Sequence, residues 1–240
     1  MTHDHAAATA PAPAETGAPA PGSAPAAAPA APDVPVWKLL AVLGGGGTFA
    51  GGLIVVAFQA TQPRIQAHKA LVLQRSVTEV LGGPEKFDTL YLVGDALTAK
   101  PPEGKDPAKF DRVYLGRRAD GSRAGFAIVA AEPGFADDIR LIFGFDPEKG
   151  VVLGFKVLES KETPGLGDAI EKKEAYVRQF AGKEAPLVPV KPGASRGDLR
   201  HEVETITGAT ISSACVVRII NHAVDRWAPH LRAFHEEGDR

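Results

Sequence analysis

Cys215 is the only cysteine of this chain. One thiol excludes an intrachain disulfide framework, and with it any zinc site or iron–sulfur cluster held by several thiolates of the chain. A basic excess is missing too: 27 Lys and Arg stand against 29 Asp and Glu, for a net charge of -2 and a pI near 6.4. Such a balance leaves little with which to neutralise a run of nucleic-acid phosphates. The histidines His3, His5, His68, His201, His222, His230 and His235 show no HExxH-type spacing, so they read as surface or partner-facing groups and not as ligands. Neither a nucleophile elbow nor a P-loop is present in the folded region. Cys215 itself reads as a buried small hydrophobe, the usual fate of an unpaired thiol.

What is present falls into segments. The 240 residues are enough for one domain with a real core plus stretches outside it. Residues 1–35 are mostly Ala and Pro with almost nothing large to bury, which predicts a disordered, partly extended tail. Residues 36–60 (VWKLLAVLGGGGTFAGGLIVVAFQA) are apolar or small throughout, with Lys38 as the one charge. As a helix this run is about 37 Å long, enough to cross a hydrocarbon core of about 30 Å. Trp37 and Lys38 suit an interfacial anchor. A cleaved signal is disfavoured because the run starts 35 residues in and Ala57-Phe58-Gln59 breaks the small-x-small pattern. The glycines Gly44 to Gly47, Gly51 and Gly52 offer faces for close packing on another membrane helix.

Residues 61–86 place Ile65, Val72, Leu73, Val77, Val80 and Leu81 near helical spacing until Gly82-Gly83-Pro84, predicting a separate linker helix. From Arg112 the rhythm is that of strands. Val113–Leu115 and Phe126–Val129 flank Asp120-Gly121 as a hairpin, and Leu141, Phe143 and Phe145 pair with a returning strand that presents Val151, Leu153, Phe155 and Val157 on one face. A helical stretch around Ile170–Phe180 follows. Val217, Ile220, Val224, Trp227 and Leu231 then recur at helical spacing, with an interruption expected near Pro229. The expectation is an α+β domain over residues 87–228, an antiparallel sheet flanked by helices behind one transmembrane helix, with a tail at 229–240.

Two motifs carry chemistry. Thr207-Gly208-Ala209-Thr210, with Ile211-Ser212-Ser213, stands just before the last helix. Two small residues beside a threonine allow a bulky group to approach, and the helix N-terminus favours a phosphate to which Ser212 or Ser213 adds hydroxyl donors. Glu162-Thr163-Pro164-Gly165-Leu166-Gly167-Asp168 follows a strand. A loop with this Pro-Gly turn and permissive Gly167 can bring backbone N–H groups against a flat heterocycle while Leu166 covers a face. On local pattern alone the first motif reads as an ordinary helix N-terminus with N-cap residues, and an ordinary strand-to-helix connection is not rejected for the second.

Together the motifs resemble the FMN-binding domain shared by the G subunit of the Rnf ion-translocating electron transport complex and the C subunit of the sodium-pumping NADH:quinone reductase. The resemblance runs from the apolar span to Trp227. One departure is that Glu204 stands where an aspartate commonly precedes the threonine motif by three residues. The resemblance implies FMN bound covalently through its phosphate to Thr210, with Thr207, Gly208, Ala209, Ser212 and Ser213 around it. It implies isoalloxazine contacts from Glu162, Thr163, Gly165, Leu166 and Gly167, and a flavin transferase that takes FMN from FAD during maturation. It also implies an electron-relay protein within an ion-translocating redox complex of the bacterial inner membrane, single-pass, partnered by the other membrane subunits, with the FMN domain periplasmic. The corresponding protein of the quinone reductase, or a membrane-anchored scaffold in which both motifs are only turns, remain open alternatives.

Overall fold

The structure, a computed structural model, describes residues 35–101, 104, 106–194 and 196–234. The Ala/Pro tail expected at 1–35 lies outside the described residues except for Pro35, as do His3, His5 and His235. The chain divides into two units, residues 1–59 and 60–240. Helix α1, Val36–Val80, begins in the first and ends in the second. An 18-residue window of it has a mean hydropathy of 2.0, and its early side chains, Trp37, Leu43 and Phe49 among them, are exposed. Among the described residues it is the one helix long and apolar enough to cross a membrane.

Two helices were expected where α1 is continuous. Pro63 lies inside it; a proline removes one ladder donor, and the helix continues past it to Val80. The end is where the glycines put it. Gly82 and Gly83 take φ of 72° and 80°, and the Gly83 N–H reaches back to the Thr78 carbonyl at 2.8 Å, closing the helix in the manner of a Schellman cap.

Beyond α1 lies an antiparallel seven-stranded sheet of β1 (Lys86–Val93), β2 (Ala96–Thr98), β3 (Arg112–Arg117), β4 (Arg123–Pro133), β5 (Asp138–Asp146), β6 (Val151–Glu159) and β7 (Lys183–Glu184), in the order β2-β1-β3-β4-β5-β6-β7. Short helices α2 (Ala169–Lys172) and α3 (Glu174–Val177) follow β6, and the parallel pair β8 (Val188–Val190) and β9 (Glu202–Glu204) precedes α4 (Thr210–Ala233). Period-two alternation sorts the sheet's side chains between two cores. Val113, Leu115, Phe126, Ile128, Leu141, Phe143 and Phe145 join α4 in the larger core. Tyr114, Ala127 and Ile142 join Val77 and Val80 of α1 in the smaller. Gly144 allows the second contact, since a Cβ there would stand 2.3 Å from the Val80 carbonyl oxygen.

Two expectations change. The single apolar face foreseen for β6 is broken by a bulge: Phe145 pairs with Val152 and Gly144 with Gly154, leaving Leu153 as the extra residue. Val152, Phe155 and Val157 therefore face the larger core and Leu153 the smaller. The last helix is not interrupted at Pro229 but runs to Ala233. Fully buried Leu231, with Trp227 and Ala228, packs the final turns on the core and holds them helical.

Candidate functional site

The threonine motif is a turn tied down from inside. Thr205 follows β9 and bonds Val190 through its N–H at 2.8 Å and its hydroxyl at 3.1 Å. Gly208 takes φ of 86°, a left-handed conformation that strains any residue with a Cβ. Ser213 locks the turn: its Oγ accepts the Ile206 N–H at 3.1 Å and donates to the Ala209 carbonyl at 2.7 Å. Ala209 caps α4 and Thr210 is its first residue, exposed, with Oγ1 3.5 Å from the Ile206 carbonyl. The earliest N–H groups of a helix precede its own acceptor ladder and lie at the positive end of its dipole.

The second motif folds into a loop held by Asp168. Its Oδ1 accepts the Gly165 N–H at 2.8 Å, and its Oδ2 pairs with Lys172 at 2.5 Å. The Lys172 ammonium, helped by the Gly165 N–H, holds the Asp168 carboxyl below its ordinary pKa against the opposing effect of burial. Gly165 has φ of 79° and lifts Leu166 outward, 54% exposed.

A third wall was not foreseen from sequence: the turn Gly134-Phe135-Ala136 between β4 and β5. Glu162, 5% exposed, joins it to the other two. Its Oε1 accepts the N–H groups of Phe135 at 2.8 Å and Ala136 at 3.1 Å, and its Oε2 accepts the Ser212 hydroxyl at 2.7 Å. Burial pushes the carboxyl up, but the Ser212 hydroxyl and these backbone donors outweigh it and the pKa lies below its ordinary value. Gly167 and Gly134 leave room for this carboxylate, since a Cβ would stand 2.6 Å from Oε2 at the first and 2.4 Å from Oε1 at the second. Outside, Arg218 and His222 of α4 both bond Glu132, at 3.0 and 2.8 Å, bracing the strand that leads into the turn.

The three walls enclose a cavity of about 280 Å³ lined by Phe135, Glu162, Thr163, Leu166, Gly167, Gly208, Ala209, Thr210, Ile211 and Ser212. Of the residues singled out in sequence, Glu162, Thr163, Leu166, Gly167, Gly208, Ala209, Thr210 and Ser212 line it; Thr207, Gly165 and Ser213 do not. Ser213 is fully buried. Phe135 and Ile211 join the lining without having been singled out. The only sequence signal for them is the conjunction of a large apolar residue with a turn at Gly134 and with a helix start.

These residues fit FMN. Phe135, Leu166 and Ile211, 65%, 54% and 56% exposed, ring the opening with large apolar side chains suited to the faces of a flat heterocycle. The Thr210 hydroxyl and the first turn of α4 stand where a phosphate is favoured. A Cβ on Gly208 would lie 3.6 Å from Leu166 Cδ2, across the cavity mouth. A cavity of about 280 Å³ has room for part of a cofactor of this size, the remainder extending toward solvent.

Comparison with known proteins points to an FMN-binding family. Residues 134–225 match the family model of an FMN-binding domain, and the match opens at the third wall. The chain is 31% identical over 204 residues to the G subunit of the ion-translocating oxidoreductase complex of Salmonella typhimurium, covering 82% of this chain and 95% of that protein. The G subunits of Escherichia coli and Vibrio cholerae are 31% and 30% identical, over 77% and 78% of this chain and 85% and 87% of theirs. Among solved structures, NqrC of Shewanella oneidensis superposes with a TM-score of 0.58 at 21% identity, covering 70% of this chain and 100% of that one. The C subunit of the Na(+)-translocating NADH-quinone reductase of Parabacteroides distasonis gives 0.50 at 20%, covering 63% and 80%.

Proposed function

The chain belongs to the family of G subunits of ion-translocating oxidoreductase complexes, and from that premise we propose that its FMN is esterified through the phosphate to the hydroxyl of Thr210. The protein is an electron-carrying flavoprotein subunit of a membrane complex that couples electron transfer to ion translocation, and its partners are the other subunits. NqrC of Shewanella oneidensis shares its fold, while the G subunits of Salmonella typhimurium, Escherichia coli and Vibrio cholerae match it over most of its sequence.

One observation supports Thr210 above its neighbours. Of the hydroxyls in the motif's helix, Ser212 and Ser213 are buried and engaged by Glu162, Ile206 and Ala209, whereas Thr210 is exposed at the cavity. When bound, FMN supplies the one- and two-electron chemistry; the chain supplies position and electrostatics. Attachment calls for a flavin transferase. In that step the Thr210 oxygen bonds to the FMN-side phosphorus of FAD, the pyrophosphate bond breaks, AMP leaves, and the hydroxyl proton passes to a base.

The test is Thr210→Ala. The variant is expected to stay folded and membrane-bound without flavin fluorescence in the denatured polypeptide, with Thr210→Ser retaining some. Peptide mass spectrometry that finds the flavin mass on Thr205, Thr207, Ser212 or Ser213 reassigns the site. A scaffold protein would carry no flavin at all.

The membrane is the bacterial inner membrane in this reading, with the FMN domain periplasmic. Charge flanking the span argues weakly the other way, because Arg64, Lys69 and Arg75 follow it while Lys38, at its N-terminal end, is the only basic residue near that side. A large domain, however, translocates largely regardless of such a small bias. A reporter active only outside the cytoplasm, fused after Arg240, should be active; silence of an expressed fusion overturns the topology.

A further inference from the structure

We propose that Glu162 is the positioning residue of the flavin site, its ionised carboxylate joining the three walls of the cavity and lowering the reduction potential of the FMN held there. The inference rests on FMN occupying this cavity.

The geometry calls for a carboxylate and not a carboxylic acid. Three donors converge on it, the N–H groups of Phe135 and Ala136 on one oxygen and the Ser212 hydroxyl on the other. A carboxylate is an acceptor at both oxygens; a protonated acid would put a fourth donor among the three. Those donors come from a hairpin turn 27 and 26 residues away and from the first turn of α4, 50 residues away. They carry Phe135, whose ring rims the cavity, and Ser212, two residues after Thr210. The missing side chains of Gly134 and Gly167 are what admit the group.

The same arrangement leaves a charge in place. Among the described residues the partners of this carboxylate are neutral, and no cation pairs with it. Hydrogen bonds spread the charge without cancelling it. At 5% exposure water screens it poorly, so its field extends into the cavity it lines. Every electron added to a cofactor there enters against that field, which lowers the potential. For a relay this keeps electrons from resting on the protein.

The charge and the linkage separate in two variants of the full chain in detergent. Glu162→Gln keeps shape, with the amide oxygen taking the two backbone N–H groups and the amide nitrogen facing Ser212. It should keep its flavin load and the slow amide exchange of Phe135 and Ala136, while its flavin midpoint potential rises above that of the native chain. Glu162→Ala removes the acceptor, and exchange at Phe135 and Ala136 should accelerate about tenfold or more. A Glu162→Gln potential equal to or below the native value at full load overturns the electrostatic role. Unchanged exchange in Glu162→Ala overturns the positioning role. Flavin content is measured first, on denatured chains, so a native chain without flavin counts against the site itself. Exchange measured on the unloaded chain then still decides the linkage.

Discussion

The phenol of Tyr176 donates to the backbone carbonyl of Ser213 at 2.8 Å, tying α3 to the first turn of α4. The ring is 2% exposed and packs edge-on against Phe155 and Phe180 at 6.0 and 5.3 Å between centroids. Burial pushes the phenol well above its ordinary pKa, so it remains a donor throughout the working range. The helix start that presents Thr210 is thus held from below by an aromatic cluster and not by its own N-cap side chain, which bonds nothing.

Removing that one hydroxyl leaves the ring packing intact. Tyr176→Phe is expected to destabilise the domain by about 1 kcal/mol, the net worth of a hydrogen bond between neutral groups. The first turn of α4 should exchange its amides faster. Denaturant unfolding with flavin fluorescence as the second probe checks this; an unchanged midpoint would mean that the Ser213 carbonyl is satisfied by the helix alone.

A paired prediction concerns the smaller core. A methyl on Gly144 would stand 2.3 Å from the Val80 carbonyl oxygen, whereas one on Gly154 would stand 3.8 Å from it. The first must push the end of α1 off the sheet; the second is an ordinary contact. Gly144→Ala should therefore destabilise by about 2 kcal/mol, while Gly154→Ala stays near neutral. Equal effects from the two would show that α1 does not dock where Val77 and Val80 place it.

Acid should loosen the site. The carboxyls of Glu162 and Asp168 lie below their ordinary values of 4.5 and 3.8 in the folded chain. A depressed pKa means the folded state binds fewer protons, so this stability is fully present above the ordinary values and is lost as pH falls through the folded ones. Unfolding free energy measured from pH 6 downward should decline more steeply in the native chain than in Glu162→Gln. Parallel slopes would place the titrating groups elsewhere.

Much of this was legible because it repeats. Alternation such as Leu141, Phe143 and Phe145 reveals a strand whatever its partner, and the three- and four-residue spacing from Val217 to Leu231 reveals α4. Strands β7, β8 and β9 have two or three residues each and exist only through long-range pairing, so no local period announces them. The bulge at Leu153 is set by pairing with β5 and is equally silent in sequence. In the site, the glycines and hydroxyls of the two motifs show what chemistry is on offer. What Glu162 does depends on donors brought from Phe135 and Ser212, far along the chain. The turn Gly134-Phe135-Ala136 reads locally as any hairpin turn.

The last prediction concerns the apolar span. Gly44 to Gly47, Gly51 and Gly52 all lie within α1, and a Cβ added to any of them meets nothing within 4 Å. No packing among the described residues therefore requires them to be small. Glycine in a helix interior costs about 1 kcal/mol relative to alanine in water, so six of them in one stretch call for a reason. Close approach of another membrane helix is the reason that glycine's size supplies, since association between helices in lipid depends on packing and not on a hydrophobic drive. Replacing Gly46 or Gly51 with Leu adds bulk and raises hydrophobicity together. Insertion should therefore persist, and the FMN domain should stay with the membrane fraction, while the other subunits co-purify in reduced yield. Gly46→Ala, a smaller intrusion, should fall between. Full co-purification with Leu at either position would leave the span as a plain tether, its glycines only tolerated.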